Sequence, residues 1–419
     1  MKNVYLSVFA AAALLFTACG SDESIDSNDT QTGTLTTALS FEGVADKPKA
    51  AASNCIPVTS WSNVKQVQVF VYDNTGKVIY TKVVQPTAGS HSYTWTDVPA
   101  GTGYTVGVMA NVKSDTDPID TKIGATSVVW NANVKNLIVN SALSIDMKQK
   151  AAFQGPYATY AGNASLPHKA NKAYNSPSEI FTAYATSVNI AQSGTTTLGP
   201  LNLKREVAMM RVRIDQSQNG NDVVALKSNA NASILIQRQA TGFEFPLGTN
   251  KGGIKTATAS EDRIVEVAGV NTFKFADPTS PAYAVPGGGT PKIIDGNFKL
   301  WQDVIVFPNV TKAQQPGITP STAIVAADRQ YFILISGTAP VGYVPEGTTT
   351  ALTVATPVYW YANVQGAFVE NSIREVNLVL LSKGSVTPPD KPTKQGTLEI
   401  TLGDPEPWNS VIQSENIEM

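Results

Sequence analysis

A chain of 419 residues exceeds what one ordinary hydrophobic core serves, so two packed modules are expected. The formal net charge is -2 and only 15% of residues are charged, so there is no basic stripe to neutralise phosphates and a nucleic-acid partner is excluded. The chain is rich in Thr, Val, Ala, Gly and Pro and has no long apolar stretch at helical spacing, which is the composition of a β-protein.

Lys2, the apolar run from Val4 to Phe16, and then Thr17, Ala18, Cys19 and Gly20 follow the charged, apolar, small-residue order of a secretory signal. The run is shorter than the roughly 20 residues a permanent membrane helix needs. A Cys directly after small residues resembles the lipobox read by the lipoprotein signal peptidase, which would make Cys19 the diacylated first residue, although Phe16 stands where Leu is usual. An ordinary signal with an incidental Cys is the competing reading. Ser21, Asp22 and Glu23 resemble the acidic surface-export tag of Bacteroidia lipoproteins. With Cys19 lipidated, Cys55 has no intramolecular disulfide partner and reads as a small core or loop residue.

Residues 20–33 are mostly Ser, Asp, Thr and Gly, a flexible tether. From Thr34 to Phe41 the sequence TLTTALSF puts Leu35, Thr37, Leu39 and Phe41 on one face, the period of a half-buried strand. Gly43 to Ser60 follows as an exposed loop holding Lys47, Pro48 and Lys49, a segment a protease can sever. In Val64 to Tyr72, Val67, Val69 and Val71 alternate with Gln66, Gln68, Phe70 and Tyr72; Asp73, Asn74, Thr75 and Gly76 then turn the chain into Val78 to Val84, a β-hairpin. His91 to Trp95 and Tyr104 to Val108 are expected to continue the meander through the Pro99, Ala100, Gly101 turn. Short strands punctuated by Gly and Pro point to a sandwich. Ala151 to Ser193 reads as an irregular excursion over its surface.

Leu201 to Ile214 reads as one long strand, with Ala208, Met210, Val212 and Ile214 on its apolar side, and it opens the second domain. Ser233 to Gln237, Val304 to Phe307, Tyr331 to Ser336, Val358 to Tyr361 and Ile373 to Leu380 supply further strands. Ser382 to Gln395 is a stiff, Pro- and Lys-rich connector to GTLEITL at 396–402, where Leu398, Ile400 and Leu402 share a face. Asp404 to Pro407 break the strand before Trp408. A well-patterned strand set off by a prolyl linker suits contact beyond its own sandwich. The expected organisation is a signal at 1–19, a removable tether and first strand at 20–49, sandwiches at 50–200 and 201–394, and a terminal strand segment at 395–419.

His is confined to His91 and His168, neither in a nucleophile-and-base motif. Metal-ligand spacings, a phosphate-cradling loop and a nucleophile elbow are missing, and Gly287, Gly288 and Gly289 are turn material. No catalytic, cofactor-binding or metal-binding residue is assigned, and the chain is read as a non-enzyme without cofactors. Tyr157, Tyr160 and Tyr174 have the chemistry to stack on a sugar, which keeps a surface glycan-binding lipoprotein as the reading from another class; tyrosines clamping a loop to a sheet are commoner. In Tyr359, Trp360 and Tyr361, alternation separates Trp360 from the two tyrosines, and core packing is expected on at least one face.

Several of these features occur together: the signal through Cys19, TLTTALSF before a basic loop, LNLKREVAMMRVRI at 201–214, NSIREVNLVLLSKG at 371–384, the prolyl linker, GTLEITL, and PEPW ending at Trp408. In these the whole chain resembles the fimbrillins of Bacteroidia, the structural subunits of type V pili. The resemblance implies an all-β fold of two transthyretin-like β-sandwich domains with Greek-key type connections. It also implies an outer-membrane lipoprotein precursor at the cell surface, cut by a trypsin-like protease after its first strand. Losing Leu35, Leu39 and Phe41 would then open an apolar groove for Leu398, Ile400, Leu402 and Trp408 of a neighbouring pilin. Such head-to-tail contacts propagate into a homopolymeric filament. No Arg precedes Arg205, and Lys47 is followed by Pro48, a poor trypsin-type bond, so Lys49 before Ala50 is the candidate cleavage site and Lys47 the alternative. The implied role is a stalk subunit of a fimbrium supporting adhesion and biofilm formation; a chain left uncut would keep its lipid and serve as an anchor.

Overall fold

The computed structural model describes residues 31–41, 66–84, 92–110, 119–123, 126–127, 143–147, 173–174, 176–177, 179–226, 233–239, 242–244, 253–255, 263–267, 274–275, 300–309, 331–387, 398–402 and 406–407. Apart from one short 3-10 turn, Asn221–Val223, every regular element among the described residues is a strand. The first five are β1 (Thr32–Phe41), β2 (Val67–Tyr72), β3 (Val78–Val84), β4 (Ser92–Pro99) and β5 (Gly101–Ala110). Then come β6 (Ile119–Ile123), β7 (Thr126–Ser127), β8 (Leu143–Met147), β9 (Ala173–Tyr174), β10 (Phe181–Ile190), β11 (Thr195–Thr197), β12 (Leu201–Arg205) and β13 (Ala208–Asp215). The remainder are β14 (Ser233–Gln239), β15 (Gly242–Glu244), β16 (Gly253–Lys255), β17 (Arg263–Val267), β18 (Lys274–Phe275), β19 (Leu300–Val306), β20 (Tyr331–Ala339), β21 (Thr356–Val364), β22 (Ser372–Leu380), β23 (Leu398–Leu402) and β24 (Glu406–Pro407).

The N-terminal sheet runs β11-β1-β12-β10-β5-β2-β3, with β4 also paired to β1. It closes over one core, because Leu35 and Leu39 of β1 and Trp95 and Val98 of β4 pack with Val69 and Val71 of β2, Val106 and Val108 of β5, and Phe181 of β10. The C-terminal part is a sandwich of β18-β19-β13-β22-β23 against β21-β20-β14-β17-β9. Met210, Val212, Ile214, Val376 and Leu378 on one side share its core with Ile333, Ile335, Val358 and Trp360 on the other. A fourth sheet, β16-β15-β8-β6-β7, joins segments on either side of β13 in sequence.

The expected hairpin is β2 and β3. Its turn is tied by one carboxylate oxygen of Asp73, which accepts from the N–H groups of Thr75 (2.9 Å) and Lys77 (3.0 Å) and from the Thr75 hydroxyl (2.6 Å). Alternation alone would leave the Gln68, Phe70, Tyr72 face of β2 half-wet, yet all three are at most 2% exposed. Gln68 meets part of its polar requirement by donating to Thr81 at 2.8 Å.

Three expectations need correction. The meander does not continue after β3: β4 crosses to pair with β1, and β5 returns to pair with β2 and β10. The irregular excursion ends earlier than expected, since Phe181–Ile190 is the ten-residue strand β10, inside the sheet. Its period is hidden by register shifts on either side of Val188 and by Ser187 at φ 57. The long strand at 201–214 is two strands, β12 and β13, which break at Glu206 and Val207 and belong to different sheets.

Candidate functional site

β1 is an interior strand with partners on both sides. It runs parallel to β11 (Thr34↔Thr195 to Thr36↔Thr197) and then to β12 (Leu39↔Leu201 to Phe41↔Leu203), and antiparallel to β4 (Thr32↔Pro99 to Ala38↔Ser92). The seam continues beyond the strand pairs: Ser193 N–H donates to the Thr32 carbonyl (2.8 Å), Thr34 N–H to Gly194 (2.8 Å), and Leu198 N–H to Thr36 (2.8 Å). The Thr37 hydroxyl donates to the Gly199 carbonyl at 3.0 Å.

The buried face of β1 is the one alternation chose. Leu35 and Thr37 are 0% exposed and Leu39 1%. Burying two complete Leu side chains contributes about 3–6 kcal/mol. Opposite them in β4 stand Tyr93 and Trp95, stacked with ring centroids 6.1 Å apart. Burial pushes the Tyr93 hydroxyl up to about 12. Gly33 is required by close approach, since a Cβ there would lie 2.1 Å from the Ala191 carbonyl oxygen. Sequence reading missed Tyr93, Trp95 and Gly33 as parts of this slot. The alternation of SYTWTDV, buried at Tyr93, Trp95 and Val98, was the available signal.

The Phe41 end of β1 points toward a buried joint. β12, parallel to β1, ends at Arg205, which is 0% exposed; its Nε donates to Glu179 Oε1 (2.6 Å) and its Nη1 to Asn371 Oδ1 (2.5 Å). The guanidinium also lies 4.9 Å over the Phe181 ring. Asn371, at φ 58, immediately precedes β22, and its N–H donates to the Val207 carbonyl at 3.0 Å. Arg205 therefore fastens the N-terminal sheet to the turn that precedes β22 in the C-terminal sandwich. The Thr32 end of β1 lies at the opposite end of the sheet, beside the turns at 99–101 and 191–194.

β23 is a terminal strand of its sheet, antiparallel to β22 from Leu398↔Leu380 to Leu402↔Val376. Leu402 is partly buried against the C-terminal core. The chain leaves that sandwich through a polar clamp: Asn221 Nδ2 donates to the carbonyls of Leu380 (2.8 Å) and Ser382 (3.0 Å), Tyr343 OH donates to Asn221 Oδ1 (2.8 Å), and Trp360 Nε1 donates to Ser382 (2.8 Å). Ser385 then bridges to Tyr359. Of the tyrosine and tryptophan run, Trp360 is 0% exposed and Tyr359 6%, so both faces pack.

The remaining expected site residues fall elsewhere. Cys19, Lys47, Lys49, Cys55, Tyr157, Tyr160 and Trp408 lie outside the described residues, as do both histidines and Gly287 to Gly289. Phe41 pairs with Leu203 at the end of β1, and Leu398 and Ile400 pair with Leu380 and Leu378 in β23. Tyr174 is in β9, beside β17.

An all-β chain whose β1 fills a core and whose β23 is the terminal strand of its sheet has the architecture of a β-sandwich protein. The family model of the fimbrillin-A associated anchor proteins Mfa1 and Mfa2 matches residues 57–281, more than half of the chain, and the chain belongs to that family. It is thus a member of a family of fimbrial, cell-surface proteins. Among solved structures it is similar to a fimbrilin from Porphyromonas gingivalis W83, at 13% identity over 90% of this chain and 98% of that one, with a TM-score of 0.42. It is also similar to the fimbrial anchor protein Mfa2 from Porphyromonas gingivalis, at 10% identity over 88% of this chain and 97% of that one, with a TM-score of 0.35. No curated protein matches the chain.

Proposed function

We propose that the chain is a stalk subunit of a type V pilus, assembled by proteolysis-triggered donor-strand exchange. The observation that carries this reading is β1: a strand paired on both sides, whose Leu35 and Leu39 fill the N-terminal core, but which precedes the Lys-containing segment 42–65. Cutting at Lys49, or alternatively at Lys47, separates Cys19 with its lipid and β1 from the body, which then starts at Ala50 or at Pro48. The vacated slot exposes apolar surface and two rows of unpaired backbone groups, a template for another strand. β23 is the donor: it is held along one edge only among the described residues, and its Leu398, Ile400 and Leu402 repeat the spacing of Leu35, Thr37 and Leu39, with Trp408 following. The partners are other copies or other pilins, a trypsin-like surface protease, and outer-membrane lipid in the precursor. We also propose the division into two sandwiches, expected at 50–200 and 201–394, and a donor segment at 395–419; the pairing of β12 within the N-terminal sheet moves the boundary between the sandwiches past Arg205.

A second reading is that of a lipid-retaining anchor at the pilus base. The family description names anchor proteins, and no Arg precedes Arg205 to serve an Arg-directed protease. One experiment separates the two: protein lacking residues 1–19 is treated with limiting trypsin, its new N-terminus read, and unboiled samples run on a denaturing gel. Stalk behaviour is an N-terminus at Ala50 with detergent-resistant ladders that vanish on deleting the residues after Lys394. A chain left uncut near Lys49 favours the anchor or the glycan-binding reading over the stalk, and one that is cut yet stays monomeric refutes strand exchange.

A further inference from the structure

Strand polarity fixes which end of the C-terminal sandwich faces outward. β13 and β22 are parallel and both start at the Arg205 joint, so Asp215 and Leu380 lie at the far pole. β20 ends and β21 begins there too, since Thr338 bridges Ala225 and Ala339 pairs with Thr356. Among the described residues, five of the six exposed large hydrophobics belong to the loops of this pole: Val223, Val341, Val354, Leu381 and Val386. Val341 is 64% exposed and Val354 65%. The loops are held as one surface, because Asn221 and Tyr343 tie 221–223 to the 340–355 loop and to 380–382, and the Gly342 N–H donates to the Leu352 carbonyl at 2.8 Å. An apolar set on a fastened platform marks an interaction surface.

The linker points to what covers it. Residues 388–397 leave beside Ser385 and arrive at Leu398, which pairs with Leu380, so both ends of the linker are at this same pole. A β23 that unpairs therefore swings out past the pole on ten residues that include Pro388, Pro389 and Pro392, a reach of up to about 35 Å. In a receiving copy, the Phe41 end of the slot abuts that copy's own joint, which leaves the Thr32 end as the mouth. Leu398, the tethered end of the donor, then lies near the mouth, and the donor strand runs with the polarity of β1.

We infer that the apolar pole of one subunit docks on the mouth of the next subunit's slot, against the turns at 99–101 and 191–194, as a second contact beside the inserted strand. This rests on the strand-exchange reading above. The pole holds the incoming subunit while the donor strand threads, and afterwards restricts bending at the junction.

The test compares trypsin-activated wild type with the Val341→Asp, Val354→Asp double variant. Both side chains are exposed, so the monomer should fold and keep its melting temperature. The expected result is a detergent-resistant ladder in both, with the variant polymerising about tenfold more slowly and giving filaments of shorter persistence length in electron micrographs. A wild type that forms ladders and a variant that matches it in rate and stiffness overturn the docking pole and leave strand exchange standing. A variant monomer that melts lower but polymerises at the wild-type rate shows the pole covered by its own chain, which also overturns the proposal. Absence of ladders in the wild type overturns strand exchange and this inference together.

Discussion

Removing β1 should convert the N-terminal sheet from a self-sufficient domain into one that needs a strand from outside. The perturbation is a chain starting at Ala50. It loses the two fully buried leucines, Leu35 at 0% and Leu39 at 1% exposure, or about 3–6 kcal/mol. It also loses the hydrogen bonds β1 makes to β4, β11 and β12. Against a total of about 5–15 kcal/mol for a domain, this is a large share, and it should lower the melting temperature of the N-terminal part by about 10–20 °C. A synthetic peptide of residues 396–402, added at a hundred times its dissociation constant, should return about 2.7 kcal/mol, or about 5–10 °C. Differential scanning calorimetry with the peptide and with its Leu398→Asp, Ile400→Asp counterpart measures both quantities. An Ala50 chain that melts within a degree or two of the mature chain, or two peptides that shift it equally, would refute the reasoning.

Gly33→Ala should destabilise the uncut chain by about 1–3 kcal/mol, measured by urea unfolding, because the added methyl meets the Ala191 carbonyl at 2.1 Å; the Ala50 chain lacks the site altogether. Arg205→Ala should cost about 3–5 kcal/mol in the same assay, and Arg205→Lys should recover little, since the fork to Glu179 and Asn371 and the stack on Phe181 need a guanidinium. Asn221→Ala removes the amide donor that ties the Leu380 and Ser382 carbonyls together, leaving Ser382 only its bond from Trp360, and should cost about 1–3 kcal/mol, read by thermal melting, with faster amide exchange at 380–387. Tyr93 stays neutral in the fold up to about pH 12, while an unfolded tyrosine ionises near about 10, so its stabilisation is present below pH 10 and is lost as pH rises through that window. Ultraviolet titration should show one tyrosine moving back toward ordinary behaviour when β1 is removed, and Tyr93→Phe should abolish that difference.

The parts of this arrangement that a local pattern encodes were legible in the chain. TLTTALSF gave the buried set of β1, and the Asp73 to Gly76 turn gave the β2–β3 hairpin. Pairing partners were not legible, because alternation describes a strand's faces and not its neighbours: nothing in SYTWTDVP says that β4 leaves β3 for β1. β10 escaped because two register shifts break its period, and the β12–β13 break escaped because the pattern runs on through Glu206 and Val207. Nothing local to Arg205, between Lys204 and Glu206, marks it as buried. Its burial depends on Glu179 and Asn371, which lie far from it in sequence.

The parallel pairing of β1 with β12 also bears on the order in which the molecule comes together. The Thr37 hydroxyl finds its acceptor, Gly199, 162 residues further along, and Leu39 lies beside Leu201. The intervening chain must be closed into a loop before these contacts give any return, a condition that slows folding in proportion to contact order. Of the partners of β1, β4 is made first, whereas β11 and β12 arrive only with residues 195–205, so the second edge of β1 is the last to be closed. The seam of β1 with β11 and β12 is therefore a late one, and its loss should raise the unfolding rate of the sheet more than it lowers the folding rate.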